Sequence, residues 1–174
     1  MGSPLTCADI QRILFSHYLR SDIIICPNTE AIGAEADLLV VQPTGYIAEI
    51  EIKVSRSDFW ADFKKEGKHR ALAAGKRTRS NAYDAPNHFY FAVPAGLVTA
   101  EEVPNYCGLL YIYGGLKDVK IIRGAPRLHT NKCGEKTLRR ITRSLMYKVF
   151  SAGTHCLPEH ANLAWQPEEG GTHA

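Results

Sequence analysis

Between Glu35 and Val54 the chain reads EADLLVV, QPTG, YIAEIEIKV, two runs of strand-forming residues joined by four turn residues. Pro43 and Gly45 suit a tight reversal, so the segment predicts an antiparallel hairpin. In the second run, alternation puts Ala48, Ile50, Ile52 and Val54 on one face and Glu49, Glu51 and Lys53 on the other. The apolar face is expected to pack on the core. Glu35 and Asp37 share a face of the first run, and neighbouring strands lie about 4.8 Å apart, so acids of the two strands converge.

The surrounding pattern predicts an α/β fold with a mixed central sheet flanked by helices. Thr6 or Asp9 caps a helix that carries Ile10, Ile13, Leu14 and Tyr18 on one stripe and ends near Arg20. Ile23 to Cys26 reads as a strand that stops at Pro27. After the hairpin, Ser55 or Ser57 caps a helix running through Phe59, Trp60 and Phe63 to Ala74, where Gly75 stops it. Residues 76–87 read as a long loop and HFYFAVP as a buried strand. Thr99 to Val103 suggests a helical turn with Glu102 at the capping-box position. GLLYIY and DVKIIR form a second hairpin about Gly114 and Gly115. A last helix from about Gly134 to Phe150 packs Leu138, Ile141, Leu145, Tyr147 and Val149, with its basic residues mostly on the other side.

The chain has 174 residues, 45% hydrophobic and 22% charged, which suits one domain over residues 1–156 with a flexible tail over 157–174. No apolar run approaches a membrane span, and the first residues carry no basic, apolar leader. Five scattered cysteines without a CxxC pair read as free thiols of a reducing compartment, so a cytoplasmic location is expected. The net charge of +3 is too mild to identify a partner, but its distribution is uneven. Lys64, Lys65, Lys68, Arg70, Lys76, Arg77 and Arg79 stand against one acid, Glu66, and a second basic stretch includes Arg139, Arg140 and Arg143.

Carboxylates on adjacent strands repel one another, so Glu35, Asp37, Glu49 and Glu51 require an explanation. A bound divalent cation is one. Mg²⁺ takes oxygen ligands and is typically held by one or two carboxylates, waters and substrate phosphate, which Asp37 and Glu51 can offer with the Lys53 ammonium alongside. The plainer alternative is a solvated strand face, since a lone Glu-x-Lys is a weak motif.

Asp37 followed fourteen residues later by Glu51-Ile52-Lys53, on the strands of one hairpin with a helix before and after, resembles the PD-(D/E)xK nuclease superfamily. EIEIKVSRSDFWADFKK, NHFYFAVP, EEVPNYCGLLYIY and GAPRLH are similar to the MmcB-like DNA-repair group and related phage and bacterial proteins, over about Glu30 to Phe150. Ala36 stands where the superfamily signature has proline. The resemblance implies a restriction-endonuclease-like core and a Mg²⁺- or Mn²⁺-dependent deoxyribonuclease of DNA repair, recombination or phage DNA processing. It further implies that Asp37, Glu51 and the Ile52 carbonyl ligate the metal while Lys53 positions the attacking water or stabilises charge on the phosphate. Glu35, Glu49, Glu30 and Asp9 are candidates for an additional acid, with Asp9 better explained as a favourable charge in the first helical turn.

DNA, with RNA as the other candidate, needs cations along its path. The two basic stretches supply them, with Lys64, Lys65, Lys68, Arg70, Lys76, Arg77 and Arg79 first and Arg139, Arg140 and Arg143 second. Ser55 and Arg56 either touch substrate or brace the helix they precede. A homodimer is an open arrangement. His129, Cys133, His155, Cys156 and His160 carry metal-ligand chemistry but match no zinc spacing, and His129 reads better as a loop or substrate contact. Phosphate-loop, dinucleotide and nucleophile-elbow motifs are absent. The alternative function is a catalytically inactive nuclease-like protein that binds nucleic acid or a partner.

Overall fold

The computed structural model describes residues 4–75, 85–114 and 118–152. Helix α1 spans Cys7–Tyr18 and begins at a full capping box. The Thr6 hydroxyl accepts from the Asp9 amide at 3.2 Å, and the Asp9 carboxylate accepts from the Thr6 amide at 3.1 Å. Asp9 therefore has a structural task and is also paired with Arg12.

Strands β1 (Ile24–Thr29), β2 (Ala36–Val41) and β3 (Ile47–Ile52) pair antiparallel in sequence order. The expected turn closes β2 onto β3, with Gly45 at φ +83° and its amide donating to the Gln42 carbonyl at 2.8 Å. β1 does not stop at Pro27 but runs through it, in register with Leu38. An edge strand tolerates proline because only one of its sides must be hydrogen-bonded.

The segment expected as one helix from Ser55 to Ala74 is two helices, α2 (Arg56–Asp62) and α3 (Glu66–Ala74). Ser55 caps the first, its hydroxyl accepting from the Asp58 amide, and Gly75 ends the second in the left-handed region. Between them the backbone tightens, Lys64 N–H donating to Ala61 and Lys65 N–H to Asp62. No proline or glycine sits at this break. Its cause is tertiary, since the turn delivers lysines of α3 to acids of β3.

β4 (His88–Pro94) lies parallel to β3, and β5 (Gly108–Ile112) lies parallel to β4. β6 (Val119–Arg123) closes the sheet antiparallel, giving the six-stranded mixed order β1-β2-β3-β4-β5-β6. The connection from β4 to β5 holds a turn rather than a helix at residues 99–103, although the Thr99 amide does donate to the Glu102 carboxylate at 2.8 Å. Arg123 reaches back to this connection, donating to the carbonyls of Ala100, Val103 and Cys107 at 2.7–3.1 Å and to that of Pro104. Helix α4 spans Glu135–Ala152.

Both sheet faces are covered. Ile10, Ile13 and Leu14 of α1 pack on Leu38, Val40, Ala48, Ile50, Ile52, Ala92 and Leu110. On the other face Phe59, Ala71, Leu72 and Ile141 pack on Leu39, Val41, Phe89, Phe91 and Leu109. The charged face of β3 is therefore buried too, which rules out the alternative of a solvated strand face. On α4, Leu138, Ile141 and Leu145 pack as expected, but Tyr147 and Val149 do not and are more than 70% exposed. Among the described residues no helix is long and apolar enough to cross a membrane.

Candidate active site

The register Leu38↔Ile50 places Asp37 and Glu51 opposite one another one step beyond the last pair of β2 and β3. Like charges directly opposed on paired strands are unfavourable, and here the ladder opens. Side chains take over the freed backbone groups. The Ile52 amide donates to Asp37 Oδ2 at 2.7 Å, and Gln11 Nε2 of α1 donates to the Asp37 carbonyl at 2.8 Å. Burial, followed by the Glu51 charge, raises the Asp37 pKa above the ordinary carboxylate value. Ile52 thus joins the site through its amide.

Glu51 is held by three ammonium groups. Lys53 Nζ lies 3.0 Å and Lys65 Nζ 3.1 Å from Oε1, while Lys68 Nζ lies 2.8 Å from Oε2. Lys68 also reaches Glu49 Oε1 at 2.6 Å and stands over the Phe89 ring, 5.0 Å from its centroid. Burial alone would lower the Lys68 pKa, but Glu49 and Glu51 hold it well above the usual lysine value. Glu49 and Glu51 are fully or almost fully buried, so each depends on these partners.

Lys53 is anchored at its far side by Asp62 Oδ1 at 3.1 Å and by Asp58 Oδ1 at 3.7 Å. Asp62 is fully buried and also takes Lys65 at 2.9 Å and His69 Nε2 at 2.9 Å. Burial opposes its charge, yet the hydrogen bonds from His69 and Lys65 and the Lys53 charge hold its pKa far below the usual range. His69 Nδ1 lies 3.1 Å from the Tyr106 hydroxyl. With its proton on Nε2, the ring donates to Asp62 and accepts from Tyr106, continuing the network toward the protein exterior. Phe59 packs edge to face on Phe63 and Phe91, and Phe89 on Phe91, with centroids 5.0–5.2 Å apart, and such apolar walls strengthen every charge interaction inside.

The structure thus brings together Asp37, Glu51 and Lys53, and adds Glu49 at the inner end. It moves other candidates elsewhere. Lys68, expected on a DNA-facing surface, is buried against Glu49 and Glu51, and Lys65 is paired with Glu51 and Asp62. Ser55 caps α2, while Arg56 binds Glu102 and the Leu97 carbonyl, so both brace local structure. Glu30 and Glu35 are exposed beside β1 and β2 and take no part in the charge network. Lys64, Arg70, Arg139, Arg140 and Arg143 are exposed, Arg70 near Glu66 and Arg139 paired with Glu135. Lys76, Arg77, Arg79, His155, Cys156 and His160 and the expected tail lie outside the described residues. His129 is a loop brace, with Nε2 at the Ala85 carbonyl and Asn87 Nδ2 donating to its carbonyl, and so is accounted for without zinc.

Asp62, His69 and Tyr106 were not among the sequence candidates. Asp62, Lys65 and His69 stand at i, i+3 and i+7, a spacing that places them on one side of a helix and was the available signal.

Among the described residues no three His, Cys, Asp or Glu side chains converge as a metal-ligand set. The donors available at the parting of β2 and β3 are the Asp37 and Glu51 carboxylates. Such a pair fits a hard cation that keeps most of its water, as Mg²⁺ does, and does not fit a four-ligand zinc centre. It fits on one condition, that an ammonium leaves Glu51.

No protein-family model matches the chain, and no curated protein matches it. Among solved structures it is similar to the SPO1766 protein of Silicibacter pomeroyi, a protein of unknown function. The TM-score is 0.62 at 20% identity, over 91% of this chain and 98% of the other. That likeness is one of fold, an α/β architecture with a six-stranded mixed sheet and helices on both faces.

Proposed function

We propose that the protein is a Mg²⁺- or Mn²⁺-dependent nuclease hydrolysing DNA phosphodiester bonds, with a restriction-endonuclease-like core of the PD-(D/E)xK type and a role in DNA repair, recombination or phage DNA processing. The observation that carries this reading is the convergence of Asp37, Glu51 and Lys53 where β2 and β3 part. A divalent cation there would polarise the phosphoryl oxygen and lower the pKa of a bound water. Asp37 and Glu51 would hold it, and the Ile52 amide fixes the orientation of the Asp37 carboxylate. Lys53, locked by Asp62 and Asp58, keeps its proton and presents positive charge to the phosphate as negative charge develops on it. Exposed Lys64, in the turn between α2 and α3, and exposed Arg70 of α3 supply cations for the DNA backbone.

The test is cleavage of linear, circular and single-stranded DNA with Mg²⁺ or Mn²⁺, beside Lys53→Ala and an EDTA control. Cleavage lost in both controls is expected, with a loss of at least about a hundredfold for Lys53→Ala. Cleavage that persists in Lys53→Ala or in EDTA overturns the assignment. A second reading, nucleic-acid binding without cleavage, draws on the saturation of Glu51 by three lysines. DNA binding with no cleavage under any metal selects it.

A further inference from the structure

Three ammonium groups share one carboxylate at Glu51, and they are not equivalent. Lys53 touches three acids and Lys68 is clamped between two acids and an aromatic ring, and both are more than 90% buried. Lys65 is different. Its side chain is 53% exposed, and it occupies the N-cap of α3 without a capping hydrogen bond. It shares Glu51 Oε1 with Lys53, the two Nζ atoms lying 3.1 and 3.0 Å from the same oxygen. Two ammoniums on one oxygen repel, so the less buried of them is bound least firmly. A second contact, to Asp62 Oδ1 at 2.9 Å, holds Lys65 near the site when Glu51 is given up.

We propose that Lys65 is a displaceable counter-ion that competes with the divalent cation for Glu51, so that metal loading and the release of Lys65 are one event. The proposal rests on the metal-dependent reading above and concerns how that site is regulated. Without metal, Lys65 adds a third positive charge at Glu51, in a cluster whose other acids include Asp37 and Glu49. With metal, the long lysine stem lets the ammonium retreat to Asp62 and solvent without moving the backbone. Exchange of one cation for another keeps the buried carboxylates compensated throughout.

The test uses the full-length protein and Mn²⁺ alone, without DNA, with free Mn²⁺ read by electron paramagnetic resonance. Lys65→Ala is expected to bind Mn²⁺ about tenfold more tightly than the wild type, because a competing positive charge has gone. Lys64→Ala, an adjacent loss of the same charge from an exposed position, stays within about twofold. Lys65→Gln, which keeps a donor for Asp62, follows Lys65→Ala and guards against local misfolding. If both Lys65 variants bind Mn²⁺ no more tightly than Lys64→Ala, the counter-ion role is overturned while the metal site stands. If wild type and all variants bind no Mn²⁺, or Glu51→Gln binds it as the wild type does, the metal reading itself fails and takes the proposal with it.

Discussion

On one face of β3, Ala48, Ile50 and Ile52 lie under the apolar stripe of α1, and on the other, Glu49 and Glu51 lie under α2 and α3. Burial is nearly complete on both. The apolar face is held by many small, non-directional contacts, so the loss of one methyl is a graded injury. The charged face is held by a few strong, mutually dependent pairs, so the loss of one partner strands another charge without water. The same strand thus carries a tolerant face and an intolerant one, and the candidate chemistry sits on the intolerant face.

Lys68→Ala tests the contrast with the largest expected effect. It leaves Glu49 and Glu51 short of a cation and should cost about 3–5 kcal/mol in urea unfolding. A cost near 0.5 kcal/mol, typical of surface pairs, would erase the distinction between the faces.

The two faces should also separate with pH. Burial works against the charge of Lys53, Lys65 and Lys68, but their folded pKa values are raised by Glu51 at Lys53, Asp62 at Lys65 and Glu49 at Lys68. Their stabilisation is complete below the unfolded lysine value of about 10.4 and fades as pH rises through the folded values. Asp62 has a depressed folded pKa, so its contribution is present above about 3.9 and fades as pH falls. The thermal midpoint should therefore hold a plateau between these limits and fall on both sides, with Lys68→Ala flattening the alkaline limb. An unchanged alkaline limb in that variant would assign the loss to other groups.

Ile50→Val trims the apolar face and should cost about 0.5–1.5 kcal/mol, equally at every pH. A pH-dependent cost would mean that the faces communicate through the strand. The smallest effect is a gain. Burial and Glu51 raise the Asp37 pKa, so its ionised form strains the metal-free fold as pH rises through that value. Asp37→Asn keeps the acceptor for the Ile52 amide and should stabilise the protein slightly in EDTA, by less than about 1 kcal/mol, and under the proposed function it should also abolish cleavage. A lowered stability would show that Asp37 is needed as a charge for folding.

Much of the frame was legible in the sequence because it depends on local pattern. Period-two alternation fixed which residues of β3 share a face, and Pro43 with Gly45 fixed the turn that brings Asp37 opposite Glu51. The two basic stretches misled for a physical reason. Lysines on a helix usually face water, and nothing local in KKEGKHR shows that Lys68 descends between two buried acids. The break after Asp62 was illegible on the same ground, since it is driven by ion pairs to a strand more than ten residues away. Tyr147 and Val149 failed oppositely, being apolar residues at positions that turn outward from the sheet.

The fan of hydrogen bonds from Arg123 bears on the order in which the chain assembles. The connection between the parallel strands β4 and β5 contains no helix to satisfy its own backbone, and its carbonyls converge on a guanidinium from the strand after them. That segment is synthesised before its fastener. Until β6 pairs with β5, the carbonyls of Ala100, Val103, Pro104 and Cys107 lack this shared donor, so the last strand of the sheet serves as the latch for the far half of a loop made earlier.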